Sequence, residues 1–307
     1  MTKAAPIVSV SNLTKRFGNV EALRGADLDI DPGVFGLIGP NGAGKTTLFR
    51  ILLGLIRKDG GQATVLGMDV QKDSLKIRRK LGVLHERPSY PRFMTPVQYL
   101  NHVSSFYGSG RRADELLKTV GLENAKNRHI QGLSAGMLQR LGIAQSLAGN
   151  PSIVLLDEPT SNLDVTGRNE VIQLITRLHE ETGTSFIISS HVLSEMDKLC
   201  QSVAFIKSGQ IVEKGEIFGL LEKHTSDRFR VGCSDQRKLM EALERTPHVT
   251  AISPSGVNRV LFSIAGATLS DVWTLMNQVA KEYGIEIFGV EKASTLEEVY
   301  KDVVENA

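Results

Sequence analysis

Three runs of consecutive apolar residues punctuate the first two hundred positions: Val34-Phe35-Gly36-Leu37-Ile38, Ile153-Val154-Leu155-Leu156 and Phe186-Ile187-Ile188. Runs this short and without alternation predict strands buried on both faces of a parallel sheet. Ahead of them, Ile7-Val8-Ser9-Val10 and Ala26-Asp27-Leu28-Asp29-Ile30 alternate as half-buried strands do, the second closed by the turn Asp31-Pro32-Gly33. Helical spacing follows the first buried run at Leu48, Ile51, Leu52 and Leu55. Leu81-Gly82-Val83-Leu84 predicts a further short strand, giving way to a proline-rich loop that carries Tyr90, Phe93 and Met94. Beyond it Thr95-Pro96 reads as an N-cap and first helical residue, with Val97, Leu100 and Val103 facing inward. A second helix runs from Ala113 to Val120 and stops at Gly121, and a third starts at the N-cap Ser134 and stops at Gly149-Asn150-Pro151. No strand pattern interrupts these helices, so a helical subdomain over about residues 87–146 is inserted between strands of the sheet.

The pattern changes character beyond Gly215-Glu216. Strands are expected over 228–233, 248–253, 258–264 and 285–290, the middle two as a hairpin around Pro254-Ser255-Gly256. Helices are expected over 235–245, 269–282 and Leu296 to Val304. That β-α-β-β-α-β order resembles a ferredoxin-like module. It carries no catalytic constellation, which leaves a dimerising or regulatory appendage or a ligand sensor as its use. The expected division is residues 1–220 and 221–307.

Composition narrows the class. At 307 residues with 41% hydrophobic side chains, the chain is long enough for two cores. A formal net charge of +2 gives no electrostatic reason to expect nucleic acid. Cys200 and Cys233 lie far apart and outside any C-x-x-C, so neither a disulfide nor a metal is expected, and both read as small buried apolar residues. No run approaches the ~18 apolar residues of a membrane span, and Met1-Thr2-Lys3 leads into no signal-like apolar core. A soluble, intracellular protein is expected, reaching a membrane only through a partner.

The chemistry sits where the buried runs end. Gly39-Pro40-Asn41-Gly42-Ala43-Gly44-Lys45-Thr46-Thr47 fits the phosphate-binding pattern G-x-x-x-x-G-K-[ST], placed between a strand and a helix as that loop requires. Glycines let the backbone wrap a polyphosphate with its N–H groups inward. Lys45 can reach the β- and γ-phosphates, and the Thr46 hydroxyl can ligate magnesium. The second buried run ends in Asp157-Glu158-Pro159 and the third in Ser189-Ser190-His191. Ligands bind at the carboxyl ends of such strands, so three chemically competent strand ends imply one nucleoside triphosphate site. Phe17, just upstream, can stack on adenine, or serve as a core or surface residue. His191 can donate to γ-phosphate oxygens, the plain alternative being a capping or core histidine. A carboxylate at Glu158, next to the metal-organising Asp157, is placed to deprotonate the attacking water, an assistance of ~10²- to 10⁴-fold.

From about residue 5 to 220 these ordered motifs resemble the ATP-binding subunit of an ABC (ATP-binding cassette) transporter. The resemblance implies an α/β P-loop NTPase cassette, a mixed sheet core with an antiparallel β subdomain and an inserted helical subdomain. It implies ATP and Mg²⁺ as cofactors and ATP hydrolysis coupled to transport. Phe17 matches the adenine-stacking aromatic, residues 39 to 46 the phosphate loop, Glu86 the loop glutamine, and Leu133 to Met137 the signature. Glu158 matches the general base, Ser161-Asn162-Leu163-Asp164 the loop that crosses the dimer interface, and His191 the switch histidine. Ser134 and Gly136 would then face the γ-phosphate held by a second copy of the chain or a paralogous cassette, two nucleotides joining the pair head to tail. The resemblance further implies a separately encoded permease, a location on the cytoplasmic face of the membrane, export of the multidrug or ABC-2-like kind in view of the C-terminal extension, and no nucleic-acid partner. A soluble ABC ATPase acting on nucleic acid or ribosomes is the alternative, and a non-hydrolysing cassette conflicts with Glu158 and His191. Three positions depart from the family pattern: Ala135 for glycine, Met137 for glutamine, and Glu86 for glutamine. A carboxylate at 86 can ligate magnesium but donates no hydrogen bond when ionised, and Ala135 is expected in ordinary helical geometry.

Overall fold

The apolar runs become the centre of a six-stranded sheet in the computed structural model, which describes residues 5–108, 111–224, 227–293 and 295–305. The chain divides into two compact units, Met1–Glu216 and Ile217–Ala307. Strands of the first unit are β1 (Val8–Phe17), β2 (Val20–Ile30), β3 (Val34–Ile38), β4 (Gly60–Val65), β5 (Met68–Asp69), β6 (Leu81–Leu84), β7 (Ile153–Asp157), β8 (Ser185–Ser190), β9 (Ser202–Lys207) and β10 (Gln210–Glu216). They form an antiparallel sheet, β2-β1-β4-β5, and a mixed one, β10-β9-β3-β8-β7-β6, in which only β10 is antiparallel to its neighbour. Every residue of β3, β7 and β8 is buried, as uninterrupted apolar runs demand. Their register pairs Leu37 with Ser189 and Asp157 with Ser189, so all three strands stop at one level of the sheet.

Helices of this unit are α1 (Lys45–Leu52), α2 (Ser74–Lys80), α3 (Pro96–Ser105), α4 (Ala113–Thr119), α5 (Ala135–Ser146), α6 (Val165–Thr182) and α7 (Leu193–Leu199). Thr95 caps α3 in a reciprocal box with Gln98, and Leu100 is buried beneath it, while Val97 and Val103 are only half-buried. Helices α3, α4 and α5 and two short 3₁₀ turns form the stretch between β6 and β7.

Several sequence expectations shift. The strand expected over Ile7–Val10 continues to Phe17, because a bulge with Asn12 at φ 47° resets the alternation and returns Leu13 to the buried face. Leu55 lies beyond α1 and is 53% exposed, since the chain turns at Gly54, whose φ is 63°. Cys233 is buried as expected, but Cys200 is only half-buried.

The second unit begins with α8 (Ile217–His224) and continues β11 (Arg228–Cys233), α9 (Gln236–Glu244), β12 (Val249–Pro254), β13 (Arg259–Ile264), α10 (Leu269–Tyr283), β14 (Ile287–Lys292) and α11 (Leu296–Tyr300). Its antiparallel sheet has the order β12-β13-β11-β14, and β11 to β14 with α9 and α10 follow the β-α-β-β-α-β sequence read from the pattern. Phe229, Val231 and Phe262 pack with Leu239, Leu243, Val272 and Met276 in one core. The last strand starts two residues later than expected: Gly284, with φ 61°, caps α10, and Ile285 is buried before pairing begins. The final helix is α-helical only to Tyr300 and becomes a π-helical turn over Lys301–Glu305.

Candidate nucleotide-binding site

The loop Gly39–Thr47 joins β3 to α1, and two of its glycines are dictated by neighbours distant in sequence. Gly44 sits at φ 111°, where an added Cβ would lie 2.6 Å from the Ala22 carbonyl oxygen. A Cβ on Gly39 would lie 2.3 Å from the Ile206 carbonyl oxygen. The helix N-terminus presents unbonded N–H groups and a positive dipole end at the loop. A cavity of about 280 Å³ lies there, lined by Val20, Ala22, residues 40–47, Glu86 and Glu158.

Lys45 is buried and tied to its own loop, Nζ donating to the Gly39 carbonyl at 2.6 Å and to that of Pro40 at 3.3 Å. The same ammonium stands 3.3 Å from Glu158 Oε1, an oxygen with no hydrogen bond. Glu158 Oε2 meets His191 Nδ1 at 2.9 Å. An ionised carboxylate only accepts, so with Glu158 ionised the contact takes the His191 tautomer that is protonated at Nδ1. Glu158 is 7% exposed and has φ 51°, a left-handed conformation that an L side chain adopts only when its surroundings fix it. Here its N–H donates to both the carbonyl and the hydroxyl oxygen of Ser189, each at 3.1 Å. Ser189 Oγ in turn donates to Asp157 Oδ1 at 2.5 Å, and Thr46 Oγ1 donates to Asp157 Oδ2 at 2.9 Å. Phosphate loop, acidic pair and histidine are thus joined by direct contacts across three strand ends.

Of the other sequence-derived candidates, Phe17, Ser134, Gly136 and Asp164 do not line that cavity, whereas Glu86 does. Phe17, 48% exposed with Lys15 Nζ 5.2 Å above its ring, does not line it; Val20, its partner across the β1–β2 ladder, does. Ser134 caps α5, accepting from the Met137 N–H at 3.3 Å, and Asp164 caps α6, accepting from that of Gly167 at 2.8 Å. Ala135 is helical, as expected, and Gly136 faces open space. Glu86 lines the cavity with its carboxylate 3.5 Å from Arg87. Val20, Ala22 and Ser189 escape sequence reasoning: the first two join the site only through sheet packing, whereas Ser189 had a visible signal as a polar residue ending a buried strand. The three loop side chains part company. Tyr90 packs edge-on against Tyr99 at 5.4 Å and donates to the Leu138 carbonyl at 3.3 Å, Met94 is half-buried, and Phe93 is 76% exposed. Burial pushes the Tyr90 phenol well above the ordinary tyrosine range.

The donor set suits magnesium. Among the described residues no three His, Cys, Asp or Glu side chains gather as a metal cage. What the cavity offers is the hydroxyl of Thr46 beside an oxygen of Asp157, with Glu86 on the wall. Few hard oxygens next to a phosphate loop match a cation that keeps waters and takes the rest of its ligands from phosphates.

A P-loop on a mostly parallel sheet, with a buried acid pair and a histidine at the same strand ends, defines a nucleoside triphosphatase. Residues 23–161 match the family model described as ABC transporter. The ABC transporter ATP-binding protein YxlF of Bacillus subtilis is 33% identical over 308 residues, covering 97% of this chain and 99% of its own. The bacitracin transport ATP-binding protein BcrA of Bacillus licheniformis is 34% identical over 259 residues, covering 83% of this chain and 84% of its own. Among solved structures, CbiO1 of Clostridium perfringens, described as part of the ABC transporter complex CbiONQ, aligns with a TM-score of 0.63 at 26% identity over 73% of this chain and 96% of its own. The cassette MJ0796, solved as a dimer in a post-hydrolysis state with ADP and Pi, gives 0.62 at 27% over 68% and 98%. The chain belongs to the ABC transporter ATP-binding proteins and is an ATPase of that cassette family.

Proposed function

We propose that this chain powers a separate membrane permease as one of a pair of cassettes, two copies or one with a paralogue, and that the transport is export. The contact chain Lys45–Glu158–His191 carries the reading, since it gathers a phosphate-binding cation, a general base and a hydrogen-bond donor in one place. Glu158 takes the proton of the attacking water, and Lys45 turns from its loop carbonyls to the β- and γ-phosphates. His191 donates to the γ-phosphate. The loop backbone from Gly39 to Thr47 wraps the polyphosphate, and Phe17 and Val20 flank the base. Thr46, Asp157 and Glu86 would hold Mg²⁺, which when bound screens phosphate charge. Ser134, Gly136 and Asp164, apart from the cavity within one chain, serve the nucleotide of the mate.

Dimer and permease are supported by the relatives: MJ0796 is dimeric, CbiO1 is part of a transporter complex, and export is favoured by similarity to BcrA and to the daunorubicin/doxorubicin resistance protein DrrA of Streptomyces peucetius. No helix of the described residues is long and apolar enough to cross a membrane; attachment to the cytoplasmic face through the permease is part of the proposal. The test uses Glu158→Gln, expected to bind ATP, dimerise stably and hydrolyse at least ~10²-fold more slowly. Isolated from native membranes with Mg-ATP, that variant should carry an integral membrane protein with it. A monomer with undiminished turnover refutes the assigned base, and recovery with ribosomes or nucleic acid instead refutes the transport role.

A further inference from the structure

A third buried carboxyl, in addition to those of Asp157 and Glu158, takes no part in the chemistry above. Glu195, on α7 four residues after His191, is 6% exposed. Its Oε2 accepts a hydrogen bond from the Thr160 hydroxyl, two residues after Glu158. Its Oε1 has no hydrogen bond and stands 3.7 Å from Arg168 Nη1. Arg168, near the start of α6, donates Nε to the Leu163 carbonyl at 3.0 Å, immediately before the cap Asp164. One carboxyl therefore braces both ends of the loop 160–163 against the helix that follows His191. Burial of a carboxyl is costly unless partners compensate it, and half of this one is compensated only by a guanidinium beyond hydrogen-bonding distance.

We infer that Glu195 is a positioning residue that couples the placement of the loop ending at Asp164 to the alignment of Glu158 and His191. The inference rests on the proposed roles of those residues. Along the chain only the short stretch Pro159–Asn162 separates Leu163 and Asp164 from the active carboxylate, and Glu158 holds a left-handed φ of 51° that its neighbours must maintain. A displacement of Asp164 by a mate's nucleotide moves Arg168 against Glu195, and the bond from Thr160 passes it to the residue two before it. Shortening the 3.7 Å ion pair between Arg168 and Glu195 to hydrogen-bonding distance strengthens it. The engaged loop then holds base and histidine at their working distance.

The test compares the full-length wild-type chain with Glu195→Gln, which keeps an acceptor for Thr160 but removes the ionic partner of Arg168. The expected result is a fall in kcat of roughly tenfold, with nucleotide Kd and KM within about twofold and a Hill coefficient for ATP reduced toward one. Arg168→Ala should give the same split, and the double variant should lose little beyond either single one, as residues of one unit do. A purely structural role would instead lower Tm and the nucleotide-competent fraction together while leaving the kcat of that fraction and the Hill coefficient unchanged, and this outcome overturns the inference. Should Glu195→Gln not fold, Thr160→Val and Arg168→Lys are read by the same criteria. Wild-type chain without ATPase activity would refute the proposed function itself, whereas active wild type with unaltered variants refutes only the coupling.

Discussion

Glycine at position 44 is fixed twice over, by its own φ of 111° and by the Ala22 carbonyl oxygen 2.6 Å from where a Cβ would stand. Gly44→Ala therefore strains the phosphate loop by about 1–3 kcal/mol. Because 1.4 kcal/mol is a factor of ten, nucleotide binding measured by titration should weaken about tenfold or more. Charge also acts at single residues outside the cavity lining. Asp69 accepts backbone N–H bonds from Lys72 and Gln71, both 2.9 Å, and these hold its carboxyl below the usual aspartate range. The folded pKa lies below the unfolded value of about 3.9, so the contribution is present above that value and is lost as pH falls through the folded one. Asp69→Asn should thus lower Tm at pH 7, with the difference vanishing at the acid end of a pH series of melts. Sequence alone located the glycine and explained its φ preference in general terms. It was silent on Ala22, twenty-two residues upstream, because only sheet packing brings that carbonyl near.

At the scale of elements, packing between β6 and α5 sets how the helical insertion meets the sheet. Gly82 in β6 faces the end of α5, where a Cβ would fall 2.1 Å from the Ser146 carbonyl oxygen, a backbone atom that cannot swing aside. Gly142 answers it from α5, a Cβ there falling 2.5 Å from both Leu84 Cδ1 and the Tyr90 hydroxyl. Gly82→Ala is expected to destabilise the chain by about 1–3 kcal/mol, measured by denaturant unfolding monitored in the first unit. The apolar run Leu81–Leu84 announced the strand in sequence, and Ser134 announced the start of the helix. Their mutual approach was not legible, because the two elements lie some sixty residues apart and a small residue in a strand has several explanations. Bulges were missed for a related reason: at Asn12 the two-residue period slips, and a local pattern search stops where the ladder only bends.

At the scale of the whole molecule, the described residues include one apolar cluster built around β1–β4 and α1 and another, sharing no residue with it, around β11, β13, α9 and α10. Phe262, fully buried with its ring 6.2 Å from that of Phe229, anchors the second. Phe262→Ala should cost that unit about 3–5 kcal/mol while the first still binds nucleotide, a separation visible as a lowered melting midpoint with an unchanged nucleotide Kd. The sequence left β4, β5, β9, β10, α2, α6, α7 and α8 unread and showed only parts of β1 and β2. By itself it determined the buried strands β3, β7 and β8, strand β6, helices α1, α3, α4 and α5, the phosphate loop, the Asp157-Glu158 pair, His191 and the β-α-β-β-α-β order of the last ninety residues. Those follow from periodicity, capping and turn chemistry, which act over a few residues. Only the tertiary structure decided that β9 lies beside β3 and β8 between β3 and β7. From that order come the hydrogen bonds of Ser189 to both acidic residues, the approach of Lys45 to Glu158 and the burial of Glu195 against Thr160. Strand neighbours are selected by the sum of many long-range contacts, and no local stretch of chain contains that sum.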